Sequence, residues 1–406
     1  MSQPKYGFVF ATVKYPEGDA ASERAAMIVK MLRASGHIAY LVVPHSAIKK
    51  KQIVSHEHLK EKKIVPYLVL LSDYMRTKFA AFQFFQTIAF IIKAAGLIVY
   101  RSRQKKLNYV ILYSPDTLEY LLVILACKIR GVTLILEACE RMTLYYKDER
   151  KNVLRKAGSW LTENLTPKVS EGIIVISTLL QKYYSERNPH IPILLLPILV
   201  DSSKPDQTLS DRVNPSEIRV LYSGTFGEKD GVQYILKGFC LFNKIYSSSR
   251  LILTGKPVHA DQFASIQSLI EKQDCSAAIE YRGFVSRKEL AVLQDSSSML
   301  LVCRTKSDFA KYGFPWKLGE YCLTGKPIIA TRVGDIDLYF QAEIDIVFAE
   351  SEDSESIGKK MLFIAENYDK ALLIAKKSKE SCIKFFDYTN HCEAMDRFIH
   401  TCIKEQ

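Results

Sequence analysis

No two of the nine cysteines in this 406-residue chain stand at C-x-x-C spacing, and they are scattered from Cys127 to Cys402. That excludes the common zinc-ribbon and redox motifs, and the odd, dispersed set reads as reduced core thiols in a reducing compartment. The eight histidines form no H-E-x-x-H or H-x3-H pattern, so no metal site is expected. Eighteen glycines, 14 prolines and an 11% aromatic content exclude a collagen-like, low-complexity or disordered chain. Gly18 is the only glycine across residues 8–35. The first strand–helix turn therefore lacks G-x-G-x-x-G, which argues against an NAD(P)-dependent oxidoreductase. No basic-then-apolar leader precedes the first strand-like segment, so a cytoplasmic chain is expected.

Acidic residues are scarce in one place only. Residues 1–106 hold 18 Lys/Arg against six Asp/Glu, while the rest holds 38 against 38, so the whole net charge of +12 sits in the first quarter. Solvated loops and helix faces are one reading of these runs. The other is an anionic partner: a membrane surface, a nucleic acid or a phosphorylated substrate. No nucleic-acid reader motif accompanies the charge, so nucleic acid is not expected. Phe79–Tyr100 is the most apolar stretch, yet Gln83, Gln86, Thr87 and Lys93 interrupt it. A membrane span is therefore not expected. Two readings stay open: a core helix, or a helix presenting Phe79, Phe82, Phe85 and Phe90 to a membrane interface at the inner face of the cell membrane.

Short apolar runs alternate with helical spacing through the chain. Strands are expected at 6–13, 37–43, 109–113, 132–137 and 172–176, with helices at 20–35 and 116–130, and residues 193–199 as a last strand or connection. A polar stretch, 201–217, reads as a linker. Beyond it, strands are expected at 218–223, 250–254, 278–281, 298–302 and 327–331, and helices at 231–245, 286–296 and 315–324. The fold class is α/β, as two Rossmann-like domains with parallel sheets facing across a cleft: residues 1–200 and 218–384. A terminal amphipathic helix, 385–406, is expected to pack back on the first domain.

The most informative segment is 312–331, YGFPWKLGEYCLTGKPIIAT. It resembles the retaining nucleotide-sugar glycosyltransferases of family 4, which have the GT-B fold, and in particular a subset reading F-P-x-K-L-x-E-Y-L-x-x-G-K-P. The resemblance implies that Glu320 holds the donor ribose and that backbone amides near Gly313 and Phe314 face the donor. It places Tyr312 where the family carries a first Glu; Asp308 and Lys317 are nearby substitutes, Lys317 as a phosphate or sugar contact of the donor. Residues 220–231, VLYSGTFGEKDG, resemble the family's strand and glycine loop over the donor diphosphate. Lys229 matches the family's Lys, with Gly224 and Gly227 in the loop and Thr225 where the family has Arg. Such a loop lets backbone N–H groups and a cation meet the charge of a leaving nucleoside diphosphate.

The likeness extends more thinly elsewhere. Gly18 falls at a turn near the donor phosphate and acceptor. Lys256 follows a strand beneath the nucleotide, and Phe284 and Val285 lie in the segment whose backbone reads the base. No histidine falls where the first domain of the family often has one. Glu137 and Glu140, at a strand end, are the candidates for contacting or deprotonating an acceptor hydroxyl.

The resemblance implies a metal-independent, retaining transfer of a sugar to a glycan or lipid-linked acceptor hydroxyl, as in surface polysaccharide or glycolipid synthesis. The nucleotide-diphosphate sugar is the substrate and no cofactor is implied. An anionic membrane surface is a candidate partner, and the oligomeric state is left open. A second reading is a catalytically silent GT-B protein that binds a membrane glycan or a partner enzyme.

Overall fold

The computed structural model describes residues 4–16, 20–46, 65–71, 80–113, 117–145, 153–203, 217–255 and 260–403. The chain divides into two compact units, Met1–Leu199 with Tyr388–Gln406, and Val200–Asp387.

The first unit begins with β1 (Tyr6–Phe10), the two-residue β2 (Lys14–Tyr15) and α1 (Ala20–Ala34). There follow β3 (Ile38–Val43), β4 (His45–Ser46), which pairs with β2, and β5 (Tyr67–Val69). Then come α2 (Ala80–Arg103), β6 (Tyr109–Tyr113), α3 (Thr117–Arg130) and β7 (Thr133–Ala138). The series ends with α4 (Val153–Asn164), β8 (Gly172–Val175), α5 (Thr178–Arg187) and β9 (Ile193–Leu195). Seven of these strands form one parallel sheet in the order β5-β3-β1-β6-β7-β8-β9. β6 and β7 are buried along their whole length, as strands covered by helices on both faces must be. The connections from β1 to β3 and from β6 to β7 run in opposite directions across the sheet. With right-handed crossovers, α1 then covers one face and α2, α3 and α4 the other. The inner side of that helical layer packs Phe90, Ala94 and Ile98 of α2 and Tyr120, Val123 and Cys127 of α3 onto Phe8, Phe10, Val110 and Leu112.

The second unit contains β10 (Arg219–Ser223), α6 (Val232–Asn243), β11 (Arg250–Thr254), α7 (Ala260–Glu271) and β12 (Ile279–Tyr281). It continues through α8 (Arg287–Asp295), β13 (Met299–Val302), α9 (Asp308–Tyr312), α10 (Trp316–Thr324) and β14 (Ile328–Thr331). β15 (Val347–Ala349), α11 (Ser354–Glu366) and α12 (Tyr368–Phe386) complete it. Its six strands are parallel, in the order β12-β11-β10-β13-β14-β15. The strand order reverses between β10 and β13, where an open α/β sheet offers a crevice at the strands' carboxyl ends. Helices α6 and α11 meet at Gly238 and Gly358: a Cβ on either would lie 2.7–2.8 Å from a carbonyl oxygen of the other helix.

The last helix, α13 (Cys392–Cys402), returns to the first unit. It begins later than the expected residue 385, because α12 runs on to Phe386, whose ring is buried against Phe314, Tyr339 and Phe340. A hydrogen-bonded chain fastens α13 to the sheet: Tyr109 Oη to His37 Nδ1 at 2.9 Å, and His37 Nε2 to Asp396 Oδ1 at 2.9 Å. Of the polar stretch 201–217, residues 204–216 lie outside the described residues. Its start is held in the second unit by Asp387, which accepts from the Ser202 N–H at 2.9 Å.

The cysteines require a correction. Cys240 of α6 and Cys275, before β12, form a disulfide with Cα atoms 5.4 Å apart. The packing of α6 beside the α7–β12 connection brings together two residues 35 apart in sequence, a spacing that carries no motif. The other seven cysteines are free, five of them buried.

Candidate functional site

The crevice of the second unit is built from four loops. Gly255 follows β11 with φ +136°, and a Cβ there would lie 1.8 Å from the carbonyl oxygen of Gly224, so only glycine permits this approach. The Gly224 N–H donates to Thr254 O at 2.9 Å. Gly255 N–H and the Thr254 hydroxyl both donate to Gly283 O at 2.8 Å. The loops after β10, β11 and β12 are thereby knitted side by side. The fourth, after β13, joins through Thr305, whose N–H donates to Lys229 O and whose hydroxyl donates to Glu228 O, both at 3.1 Å.

At the centre stands Asp230, 5% exposed. Its Oδ2 accepts from the Thr225 hydroxyl at 2.9 Å and from the Gly227 N–H at 3.2 Å, which folds the glycine loop around it. Its Oδ1 faces Lys317 Nζ at 3.4 Å. Lys317 also donates to Tyr222 Oη at 3.1 Å and lies 4.2 Å from the centre of that ring. Burial disfavours the Asp230 carboxylate, but Lys317, Lys229 and the hydroxyls of Tyr222 and Thr225 outweigh it and hold its pKa well below the usual carboxylate range. Burial lowers the Lys317 pKa, with Asp230 opposing that shift. A Cβ on Gly224 would come within 2.8 Å of Lys317 Nζ, so the ammonium sits against the glycine loop itself.

The remaining expected residues fall around this centre. Lys229 lies on the one-turn helix Glu228–Asp230, its Nζ 4.7 Å from the centre of the Phe309 ring on α9. Glu320 is half-buried on α10, three residues after Lys317 and so on the same face, and accepts from Trp316 Nε1 at 3.2 Å. The next residue, Tyr321, accepts the Ser223 N–H at 3.1 Å, which docks α10 onto the end of β10. Gly313 ends α9 and is buried, and Tyr312 is half-buried. The Phe314 side chain belongs to the core, 5.6 Å from Tyr339 and 5.5 Å from Phe386 between ring centres, so only its backbone is available to a ligand. Phe284 is 76% exposed beside Gly283, and Val285 is half-buried. Thr225 is exposed, and a Cβ on Gly227 would meet the Thr225 Oγ1 at 3.8 Å. Gly18 and Lys256 lie outside the described residues.

Sequence reasoning missed Asp230. The signal available was Asp230-Gly231 directly after Lys229, with Gly231 left-handed at φ +57°. It reads as a turn, and nothing in the sequence says that the carboxylate points inward.

In the first unit the strand-end carboxylates part company. Glu137 is fully buried, and its Oε1 pairs with Arg24 Nε at 2.7 Å. The Arg24 Nη atoms donate to the carbonyls of Pro197 and Leu196 at 2.6 and 2.8 Å. The Cys139 thiol donates to Glu137 at 3.1 Å, and burial pushes its pKa up. Glu137, expected to meet an acceptor hydroxyl, is instead fully buried with its charge paired to Arg24 of α1. Glu140, just beyond the strand, is half-buried.

Residues 205–381 match the family model for Glycosyl transferases group 1. No curated protein matches the chain in sequence. Among solved structures, the chain is similar to Alr3699/HepE of Anabaena in complex with UDP and glucose. That pair has a TM-score of 0.72 at 12% identity, over 98% of this chain and 99% of the other. It is also similar to sucrose-phosphate synthase of Thermosynechococcus elongatus, with a TM-score of 0.73 at 14% identity over 98% of both chains. The lipopolysaccharide outer core galactosyltransferase WaaB in its apo form gives 0.59 at 14% identity, over 98% of this chain and 99% of that one. At these identities the likeness is one of fold, and the fold is GT-B: two parallel-sheet α/β domains.

Proposed function

We propose that the protein is a glycosyltransferase that moves a sugar from a nucleoside-diphosphate donor to the hydroxyl of a glycan or lipid-linked acceptor, with retention of anomeric configuration. The observation that carries this reading is the position of Lys317 Nζ against Gly224 and Asp230, beside Lys229. Two cations on a glycine loop at the sheet's switch point suit a diphosphate, and Lys317 supplies the charge that Thr225 lacks. Glu320, on the same face of α10, suits a ribose diol, which an ionised carboxylate can accept in bidentate fashion. The match of residues 205–381 supports a glycosyltransferase, and the UDP-bound structural relative supports a uridine nucleotide as the first candidate.

In this reading the bond from the anomeric carbon to the β-phosphate oxygen breaks while the acceptor oxygen bonds that carbon from the same face. The acceptor proton passes to the departing phosphate. Lys229 and Lys317 stabilise the developing charge without a metal ion or resident cofactor, and Glu320 anchors the nucleoside. Surface polysaccharide or glycolipid synthesis is the proposed setting, with the protein cytoplasmic and an anionic membrane surface as its partner.

The test is thermal unfolding with UDP, GDP, ADP, CMP and dTDP in the presence of EDTA. One nucleotide at ~100 times its dissociation constant should add about 2.7 kcal/mol. Glu320→Ala should abolish that gain while leaving the ligand-free transition within about 0.5 kcal/mol of wild type. Silence toward every nucleotide would reject the donor site, and an inverted product by NMR would reject retention.

A further inference from the structure

The outward side of the α2–α3–α4 layer has the opposite character to a solvated helical face. On α3 the exposed positions Leu121, Leu125 and Ile129, spaced one turn apart, are 49%, 52% and 70% exposed. Ile92 and Tyr100 continue the apolar surface on α2 at 57% and 60%, and Trp160 on α4 at 58%. Soluble monomers scatter such side chains singly, and a continuous set across neighbouring helices marks a contact surface.

The charge beside this surface is mostly basic, with Lys128 paired to Glu171. Residues 80–106 contain five Lys/Arg and no Asp/Glu. Arg130 Nε donates to Ser102 Oγ at 3.0 Å, which places the basic carboxyl ends of α2 and α3 together. Arg103, Lys105, Lys106, Lys128 and Arg130 are all exposed there. Among the described residues no helix is long and apolar enough to cross a membrane. Lys93 interrupts α2 midway, exposed and donating to Leu70 O at 3.1 Å.

We infer that the outer face of α2, α3 and α4 is a docking surface for an anionic lipid bilayer, lying in the interface with Leu121, Leu125, Ile129 and Trp160 among the acyl chains. The cations at the helix ends sit at headgroup level, where each is attracted to anionic lipid. The inference takes up the membrane partner of the proposed function and assigns it a surface. Phe90, one of the aromatics first expected to face lipid, is buried in the core at 2% exposure, so the contact moves from α2 alone to the three-helix face.

Vesicle sedimentation tests it with phosphatidylcholine alone and with phosphatidylcholine containing 30% phosphatidylglycerol. The full chain should sediment with the anionic vesicles at least about tenfold more strongly than with the neutral ones. Leu125→Gln with Ile129→Gln should weaken sedimentation by at least about tenfold. Replacing Arg103, Lys105 and Lys106 by Ser should lower it roughly fivefold per cation. Both variants change exposed side chains, so melting temperature and UDP response should match wild type. The inference is overturned by wild type that ignores anionic vesicles, or by a glutamine variant that binds them like wild type. It is equally overturned by a glutamine variant whose only change is conversion of a dimer to monomer in light scattering. Vesicle binding with no response to any of the nucleotides would reject the donor site and leave this surface standing.

Discussion

Each unit carries a buried ion pair near the carboxyl ends of its strands, and the two pairs differ in how completely they are closed. Arg24 and Glu137 have side chains 2% and 0% exposed; Lys317 and Asp230 are 20% and 8% exposed. The Arg24 guanidinium spends its planar fork on Glu137 and two backbone carbonyls, all within 2.8 Å. Such a group is a fastener: it ties α1 to the end of β7 and to the segment after β9. Lys317 is a compact ammonium with three N–H donors, of which Tyr222 and Asp230 take two at 3.1 and 3.4 Å. Asp230 in turn shapes the glycine loop. Opposite charges at strand ends thus serve cohesion in the first unit and, in the proposed reading, ligand chemistry in the second, and the difference lies in donor geometry and residual access.

The sharpest way to break this comparison is to remove one cation from each pair. Arg24→Met leaves the Glu137 carboxylate unpaired in a dry site and should cost about 3–5 kcal/mol in urea unfolding. Adding Glu137→Leu should recover part of that loss but not all, because the carbonyls of Leu196 and Pro197 remain without their donor. Were Arg24→Met to unfold like wild type yet abolish sugar transfer, the pair would belong to the reaction and the contrast would collapse.

Lys317→Met should divide its effects the other way. Asp230 retains Lys229 and the Tyr222 and Thr225 hydroxyls, so the stability loss should be smaller than that of Arg24→Met, about 1–3 kcal/mol. Nucleotide affinity, by contrast, should fall roughly 10- to 100-fold, the worth of a hydrogen bond to a charged group. Isothermal titration against the nucleotide chosen by the thermal screen separates the outcomes. An unfolded variant would make Lys317 a fastener like Arg24.

What could be read in the sequence follows from this physics. The strands YVILY and RLILT and the run MLLV are apolar almost throughout because parallel sheets are covered on both sides, so they announce themselves. Glu320 and Lys229 could be picked out as candidates from motif spacing, and Lys317 as a cation near Tyr312. The fate of Glu137 was not, since its burial depends on Arg24, 113 residues earlier. Nor was the Cys240–Cys275 bond, which only tertiary packing creates. The α3 sequence TLEYLLVILACKIR is apolar around nearly its whole circumference. Its periodicity cannot reveal which leucines face outward; packing against α2 and the sheet decides that.

The smallest effect concerns pH and isolates Asp230. Its folded-state pKa lies well below the ordinary 3.8, so the folded protein holds its proton more weakly than the unfolded chain does. The stability this provides is therefore fully present above the unfolded value and is lost as pH falls below about 4 toward the folded one. Burial lowers the Lys317 pKa from 10.5, a shift that acts on the alkaline side and leaves the acid limb to the carboxylate. Melting temperatures of wild type and Asp230→Asn, measured from pH 6 to pH 3, should differ by a constant amount down to about pH 4 and converge below it. A gap that stays constant to pH 3 would mean that Asp230 is not held by the two lysines. The glycine loop would then be shaped by its backbone alone, and the second pair would lose the role that sets it apart from the first.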